Sequence, residues 1–185
     1  MYLPMIAFSA AGAMLLHTMR TPALVVVCAS LAAISILRCE VWRTDVSLWS
    51  EAVRLSPEKL RPRIQLARAL PPVRALSVLA EAEEIAPADP ALMAEQGRVY
   101  LRIGDAAQAL ELFERTLAAN PANPLALSDH GAALLELGKP DAARRDFERA
   151  LVIDPCQPAA LDGLHRMGTN KPVPQSCENR DLTLP

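Results

Sequence analysis

The sequence predicts an all-α protein, a helical solenoid of three repeats plus flanking helices that follows two amino-terminal transmembrane helices. Three observations predict it. Landmark residues recur every 34 positions between residues 97 and 155. The recurring blocks read as helices whose ends are punctuated by glycine and proline. Charge is unevenly spread: residues 1–37 carry one ionised side chain, Arg20, and every other Asp, Glu, Lys and Arg lies beyond them.

Length and composition bound the remaining choices. A chain of 185 residues has room for one or two domains. A 51% hydrophobic content with 22% charged residues excludes a disordered chain and a uniformly apolar multi-pass transporter. The formal net charge of -2 supplies no basic patch for nucleic acid. The four cysteines, Cys28, Cys39, Cys156 and Cys177, are too few and too scattered for a disulfide framework or a zinc site.

The apolar front divides into two runs. Residues 1–20 are expected to form the first transmembrane helix and residues 21–42 the second, each near the ~20 apolar residues that a bilayer core demands. Arg20, Thr21 and Pro22 mark the reversal between them, since proline is tolerated in a first helical turn. Trp42 suits the membrane–water interface. His17 lies near the turn and reads as a head-group residue rather than an intramembrane functional histidine. A signal peptide fits less well, because no basic region precedes the apolar stretch. Two alternatives stay open: a single span over residues 22–42 with the first run in the interface or against a partner, and a buried helix of a soluble core.

Residues 43–167 form the periodic domain. "MAEQGRVYLRIGDAAQALELFERTLAANP" aligns with "LSDHGAALLELGKPDAARRDFERALVIDP" at a spacing of 34: Gly97 with Gly131, Gly104 with Gly138, Ala109 with Ala143, Phe113 with Phe147, Pro121 with Pro155. Gly97 and Gly131 fall mid-helix, where a missing side chain admits a neighbouring helix. That packing gain must offset about 1 kcal/mol of helix propensity relative to alanine. Gly104 and Gly138 end the first helix of each unit in the left-handed conformation. Ala109, Ala143 and Ala150 are small for close helix contact, and Phe113 and Phe147 fill the space between helices. Pro121 and Pro155 stop the second helix. Helices are therefore expected near 90–103, 107–119, 124–137 and 141–153.

This pattern resembles the tetratricopeptide repeat. The resemblance reaches back to Ala75, Leu79 and Pro87, each 34 residues before its counterpart, whereas Pro57 precedes Pro87 by only 30. A first repeat over 60–87 is thus expected to lack about four residues at its inter-helix turn, where "ALPPVRAL" stands. "DVSLWSEAVRLSP" reads as the second helix of a half-repeat, "PAALDGLHRM" as a capping helix, and residues 168–185 as a flexible tail.

The junction adds a second resemblance. Tyr2, Leu3 and Pro4, then Arg43, Val46, Leu48 and Trp49, then Ser56, Pro57 and Arg61 or Arg63, are similar to multi-spanning glycosyltransferase-like membrane proteins of the O-mannosyltransferase type. In these, a spanning region runs into tetratricopeptide repeats. That likeness implies that Met1 is internal to a longer protein. It places the repeats outside the cytoplasm, at a bacterial inner membrane in the periplasm. It implies no catalysis by this chain, because residues 1–37 hold no Asp or Glu.

No catalytic set and no cofactor or metal site emerges from the residues themselves. His17, His130 and His165 have no ligand spacing, and Glu83 with Glu84 reads as a solvated helix face. Placed on the repeat, Arg61, Ile64, Arg68, Arg98, Leu101, Arg102, Leu125, Ser128, Leu135 and Glu136 turn toward the groove. Arginine forks suit carboxylates, so a protein or peptide ligand of acidic character is expected; the alternative is that these arginines only solubilise the groove. The asparagine–lysine clamp of chaperone-binding repeats is absent, its two positions carrying Ile64/Arg68, Ala94/Arg98 and Ser128/Ala132. The expected function is a membrane-anchored interaction module. A glycosyltransferase fragment that presents acceptor protein, or an assembly factor for a surface structure, are the alternatives. A disulfide between Cys156 and Cys177 is within reach of a ten-residue tail spanning about 33 Å; two unpaired thiols are the alternative.

Overall fold

The computed structural model describes residues 21–169 together with Pro174 and Cys177. The first expected span with His17, and most of the tail, lie outside the described residues. Regular structure among the described residues is helical: α1 (Thr21–Val41), α2 (Asp45–Leu55), α3 (Leu60–Ala69), α4 (Pro72–Ile85), α5 (Pro90–Ile103), α6 (Ala106–Ala119), α7 (Pro124–Glu136), α8 (Pro140–Ile153) and α9 (Pro158–Arg166). The boundary between two compact units falls between Glu51 and Ala52.

Helix α1 runs for 21 residues with Pro22 in its first turn, where the missing N–H costs nothing. Val25, Val26, Leu31 and Ile34 are exposed by 58% to 67%. At 100° per residue these four point to every side of the helix. Over the described residues, no helix is long and apolar enough to cross a membrane. The structure thus supplies a helix where the second span is expected without establishing it as a span. Helix α2 opens with a reciprocal cap: Thr44 Oγ1 accepts from Ser47 N at 3.1 Å, and Ser47 Oγ accepts from Thr44 N at 3.2 Å. None of its side chains is fully buried.

From α3 onward the chain is a stack of antiparallel helix pairs. The first helices of the second and third repeats start at Pro90 and Pro124, and the capping helix starts at Pro158. Asp89 and Asn123 stand just before the first two of these prolines and accept backbone N–H bonds from the first turn. These prolines recur every 34 residues, a start signal that the reading of Pro121 and Pro155 as stops overlooked. The first helices of the two full-length repeats end alike. Gly104 and Gly138 take φ of 85° and 70°. Asp105 N bonds back to Tyr100 O, and Lys139 N to Leu134 O, which satisfies carbonyls that a helix end leaves open.

The short first repeat differs from expectation in where its residues are missing. Helix α3 has 10 residues against 14 in α5, while the connection to the next helix is two residues in both. The deletion therefore removes about one helical turn of α3 rather than part of the loop. A loss of about 3.6 residues preserves the face that α3 turns to its neighbours.

The core explains the landmark residues. Phe113 and Phe147 are fully buried. A Cβ on Gly97 would lie 2.6 Å from Phe113 Cε1, and one on Gly131 2.8 Å from Phe147 Cε1, both too close for a real contact. Each glycine is thus the space into which the ring of the same repeat packs. Gly163 of α9 does this again, since a Cβ there would meet Phe147 Cζ and Cε2 too closely for a real contact. Phe147 is clasped between α7 and α9, in a cluster with Leu127, Leu134, Ala143, Ala150, Ala160 and Leu164. Full burial of such a ring contributes about 1.5–3 kcal/mol.

Candidate functional site

The curvature of the stack sets the site. Helix α3 touches α5 and α5 touches α7, whereas contacts of that extent do not join α4 to α6 or α6 to α8. The first helices of the repeats therefore line the inner face.

A ladder of charge runs along that face. Arg68 of α3 donates from Nε to Glu95 Oε2 of α5 at 2.8 Å. The same oxygen lies 2.9 Å from Arg98 Nη1, three residues further along α5. Arg98 Nε in turn stands 3.1 Å from Asp129 Oδ2 of α7. Both of those atoms are buried, and the contact holds them together as an ion pair. Burial pushes the Asp129 carboxyl up from 3.8 to about 6, against the pull of Arg98. Glu95, Asp129 and Gly163 hold one place in successive units, 34 apart, and Arg98 and Ala132 hold another. The ladder stops where Ala132 and Gly163 replace the arginine and the acid.

This arrangement changes the meaning of the groove arginines. Arg68 and Arg98 are matched by two carboxylates on the same face, which removes them as an unopposed cluster for an acidic ligand. Arg102 donates from Nη2 to Leu70 O at 3.0 Å. Glu136 accepts from Arg166 Nη2 of the capping helix at 3.1 Å. Arg61 is exposed at the start of α3. Ile64 and Ser128 belong to the buried interior rather than the groove surface; Ser128 Oγ donates to Pro124 O at 2.8 Å within α7. Leu101 and Leu135 are partly buried against the core. Leu125 is 40% exposed at the start of α7.

A cavity of about 310 Å³ opens between α5 and α7, lined by Pro90, Ala91, Ala94 and Arg98 on one side and by Asn120, Asn123, Leu125 and Ala126 on the other. Asn123 Oδ1 is occupied in capping α7, and Asn120 Oδ1 accepts from Ala122 N at 3.3 Å. Both amide Nδ2 groups are left as donors without a partner among the described residues. Of these lining residues Arg98 and Leu125 were expected from the sequence, whereas Asn120, Asn123 and the neighbouring acids Glu95 and Asp129 were not. The signal for the acids was present as Glu95 and Asp129, 34 apart.

His130 is half-buried, with Nδ1 2.6 Å from Asp146 Oδ2, whose other oxygen lies 3.2 Å from Arg149 Nη1. It serves as a packed, hydrogen-bonded side chain between α7 and α8. No group of three metal-binding side chains occurs among the described residues. Cys156 and Cys177 are joined as a disulfide with Cα atoms 5.4 Å apart, and Cys28 is exposed.

Comparison with known proteins agrees with the architecture. Residues 94–159 match the tetratricopeptide repeat family. A thermophilic tetratricopeptide protein of Thermus thermophilus, TTC0263, is 23% identical; the match covers 72% of this chain and 74% of that one, with a TM-score of 0.60. A MamA protein, the RS-1 ArsTM double mutant, is 21% identical over 74% of this chain and 79% of its own, at 0.55. YrrB, a tetratricopeptide protein with an unusual peptide-binding site, is 23% identical over 65% and 66%, at 0.53. No curated protein matches the chain. Residues 94–159 thus match tetratricopeptide repeats, and the described residues fold as an all-α solenoid of that kind; the comparisons lend no support to a glycosyltransferase-like parent.

Proposed function

We propose that this chain is a protein-interaction module that holds an extended peptide segment of a partner protein on the inner face of α3, α5 and α7. The observation that carries this reading is the open cavity between α5 and α7, with the exposed Leu125 at its rim and unspent amide donors beside it. Concave sites that mix apolar walls with a few polar groups are the usual form of a binding site. YrrB, which shares the fold, has a peptide-binding site. The test is selection of random linear peptides on the full chain, repeated with Leu125→Trp, which fills the cavity from its exposed rim. Peptides that bind the original chain and lose binding to the variant support the reading. Peptides indifferent to the substitution would move the site elsewhere.

The same proposal holds the module at a membrane through its amino-terminal segment. Helix α1 presents apolar side chains on every side, and a helix of that kind is stable only when something apolar surrounds it. Extraction of the membrane fraction at high pH decides the point: an anchored chain stays with the lipid, and a chain released with peripheral proteins overturns the anchor. The outer, periplasmic side is the proposed location of the repeats.

A further inference from the structure

We infer that the groove between α5 and α7 selects an uncharged, extended peptide segment with small side chains, rather than an acidic one. The inference rests on the groove being the binding site, as proposed above, and adds the chemistry of what it binds. Its ground is the charge ladder. Arg98 is the cavity's one ionisable lining residue among the described residues, and it lies 2.9 Å from Glu95 Oε2 and 3.1 Å from Asp129 Oδ2. Arg68, across the face on α3, is 2.8 Å from Glu95 Oε2. Two guanidinium groups therefore face two carboxylates, and the wall of the cavity is neutral when all four are ionised.

A ligand carboxylate would have to compete with Glu95 for Arg98. Glu95 is buried and already placed, so it loses no freedom in making the contact, whereas a ligand group would. An acidic ligand also meets repulsion from both fixed carboxylates. The unspent groups are the Nδ2 donors of Asn120 and Asn123, which suit neutral acceptors such as backbone carbonyls. Ala91, Ala94 and Ala126 form a shallow apolar surface that fits small side chains.

The test compares two synthetic peptides with the full chain at about pH 8, where Asp129 is ionised. One peptide is an uncharged extended sequence rich in Ala, Val and Pro. The other carries Glu at alternate positions of the same sequence. The uncharged peptide is expected to bind at least ~10-fold more tightly, with affinity changing less than ~2-fold between low and high salt. In the variant Asp129→Asn, Arg98 loses one of its two anions, and the ratio of the two affinities should shift toward the acidic peptide. Leu125→Trp should abolish binding of whichever peptide binds. Tighter binding of the acidic peptide, lost in Leu125→Trp, overturns this inference and leaves the groove as the site. Binding that ignores Leu125→Trp, or no binding by either peptide, overturns both.

Discussion

Arg98 Nε stands 3.1 Å from Asp129 Oδ2 across one repeat, and Arg68 holds the equivalent relation to Glu95 one repeat earlier, at 2.8 Å. The two contacts are one device used twice. An arginine in the first helix of one repeat meets an acid placed three residues earlier in the first helix of the next. Because the acid and arginine of α5 also pair with each other at i and i+3, the contacts join into a chain. A slip in the packing of two repeats would separate the rung between them.

Glu95 is the centre of the ladder, with a side chain only 4% exposed and two arginines on one oxygen. Replacing it by Gln leaves Arg98 with Asp129 alone and takes from Arg68 its buried anion. The expected loss is about 1.5–3 kcal/mol, the range for hydrogen bonds to a charged group, because the arginines left behind are partly exposed and Arg98 keeps Asp129. Arg68, at 45% side-chain exposure, is screened by water, so Arg68→Gln should cost no more than about 1 kcal/mol. Urea unfolding of the full chain, followed by circular dichroism, measures both. Equal losses would show that burial does not govern the ladder.

The raised Asp129 carboxyl gives a signed pH dependence. The folded chain holds this proton up to about pH 6, the unfolded chain only to 3.8. Between these values the folded state binds more protons, so this contribution to stability is fully present below 3.8 and is lost as pH rises through 6. The difference of about two units corresponds to roughly 3 kcal/mol at most. Asp129→Asn should therefore flatten the dependence between about pH 4 and about pH 7 and leave the chain at least as stable as the original at neutral pH, because Glu95 still pairs with Arg98. A variant that keeps the original slope would assign the titration to another group.

Gly131 of α7 and Gly163 of α9 both leave room for the Phe147 ring, which a Cβ on either would meet too closely for a real contact. Gly131→Leu should cost about 1–3 kcal/mol by overpacking, and Gly163→Ala a comparable amount. The two contacts share one ring. Shortening that ring to Leu in Phe147→Leu should therefore relieve part of the Gly163→Ala loss, and the double variant should be less destabilised than the sum of the singles. Strict additivity in thermal unfolding would mean that α9 yields instead of the ring.

The repeat was legible in the sequence because its landmarks are local and periodic. Gly104, Gly138 and the paired Phe and Ala positions each answer to one turn or one contact, and α5 and α7 begin where the spacing places them. The groove was less legible. Its register turned ten side chains inward as if all first helices were alike. The shortened α3 and the acids in α5 and α7 decide which side chains are spent, and those are contacts between residues about thirty apart. A count of arginines has no access to such pairing. The spacing of Glu95 and Asp129 was the available clue, hidden because acidic residues on helices ordinarily read as solvated faces.

The last prediction concerns the side of the membrane. Basic residues near the apolar front number one before it turns, Arg20, and three after it, Arg38, Arg43 and Arg54, which by the positive-inside tendency would place the repeats in the cytoplasm. The location proposed above is the periplasm instead. The joined pair Cys156 and Cys177 adds weight to the second reading, since a disulfide persists where the surroundings are oxidising. It closes a loop with a sequence separation of 21, and such a closure stabilises by ~3 kcal/mol through the unfolded chain. Cys177→Ser should lower the unfolding free energy of protein purified without reductant by that amount and leave reduced protein unchanged. The location follows from thiol labelling in intact bacterial cells with a membrane-impermeant maleimide, on a chain with Cys28→Ser and Cys39→Ser so that only this pair reports. Labelling of unopened cells that appears only after reduction is the expected result, for a periplasmic and bonded pair. Labelling that needs opened cells and no reductant would put the repeats in the cytoplasm with both thiols free.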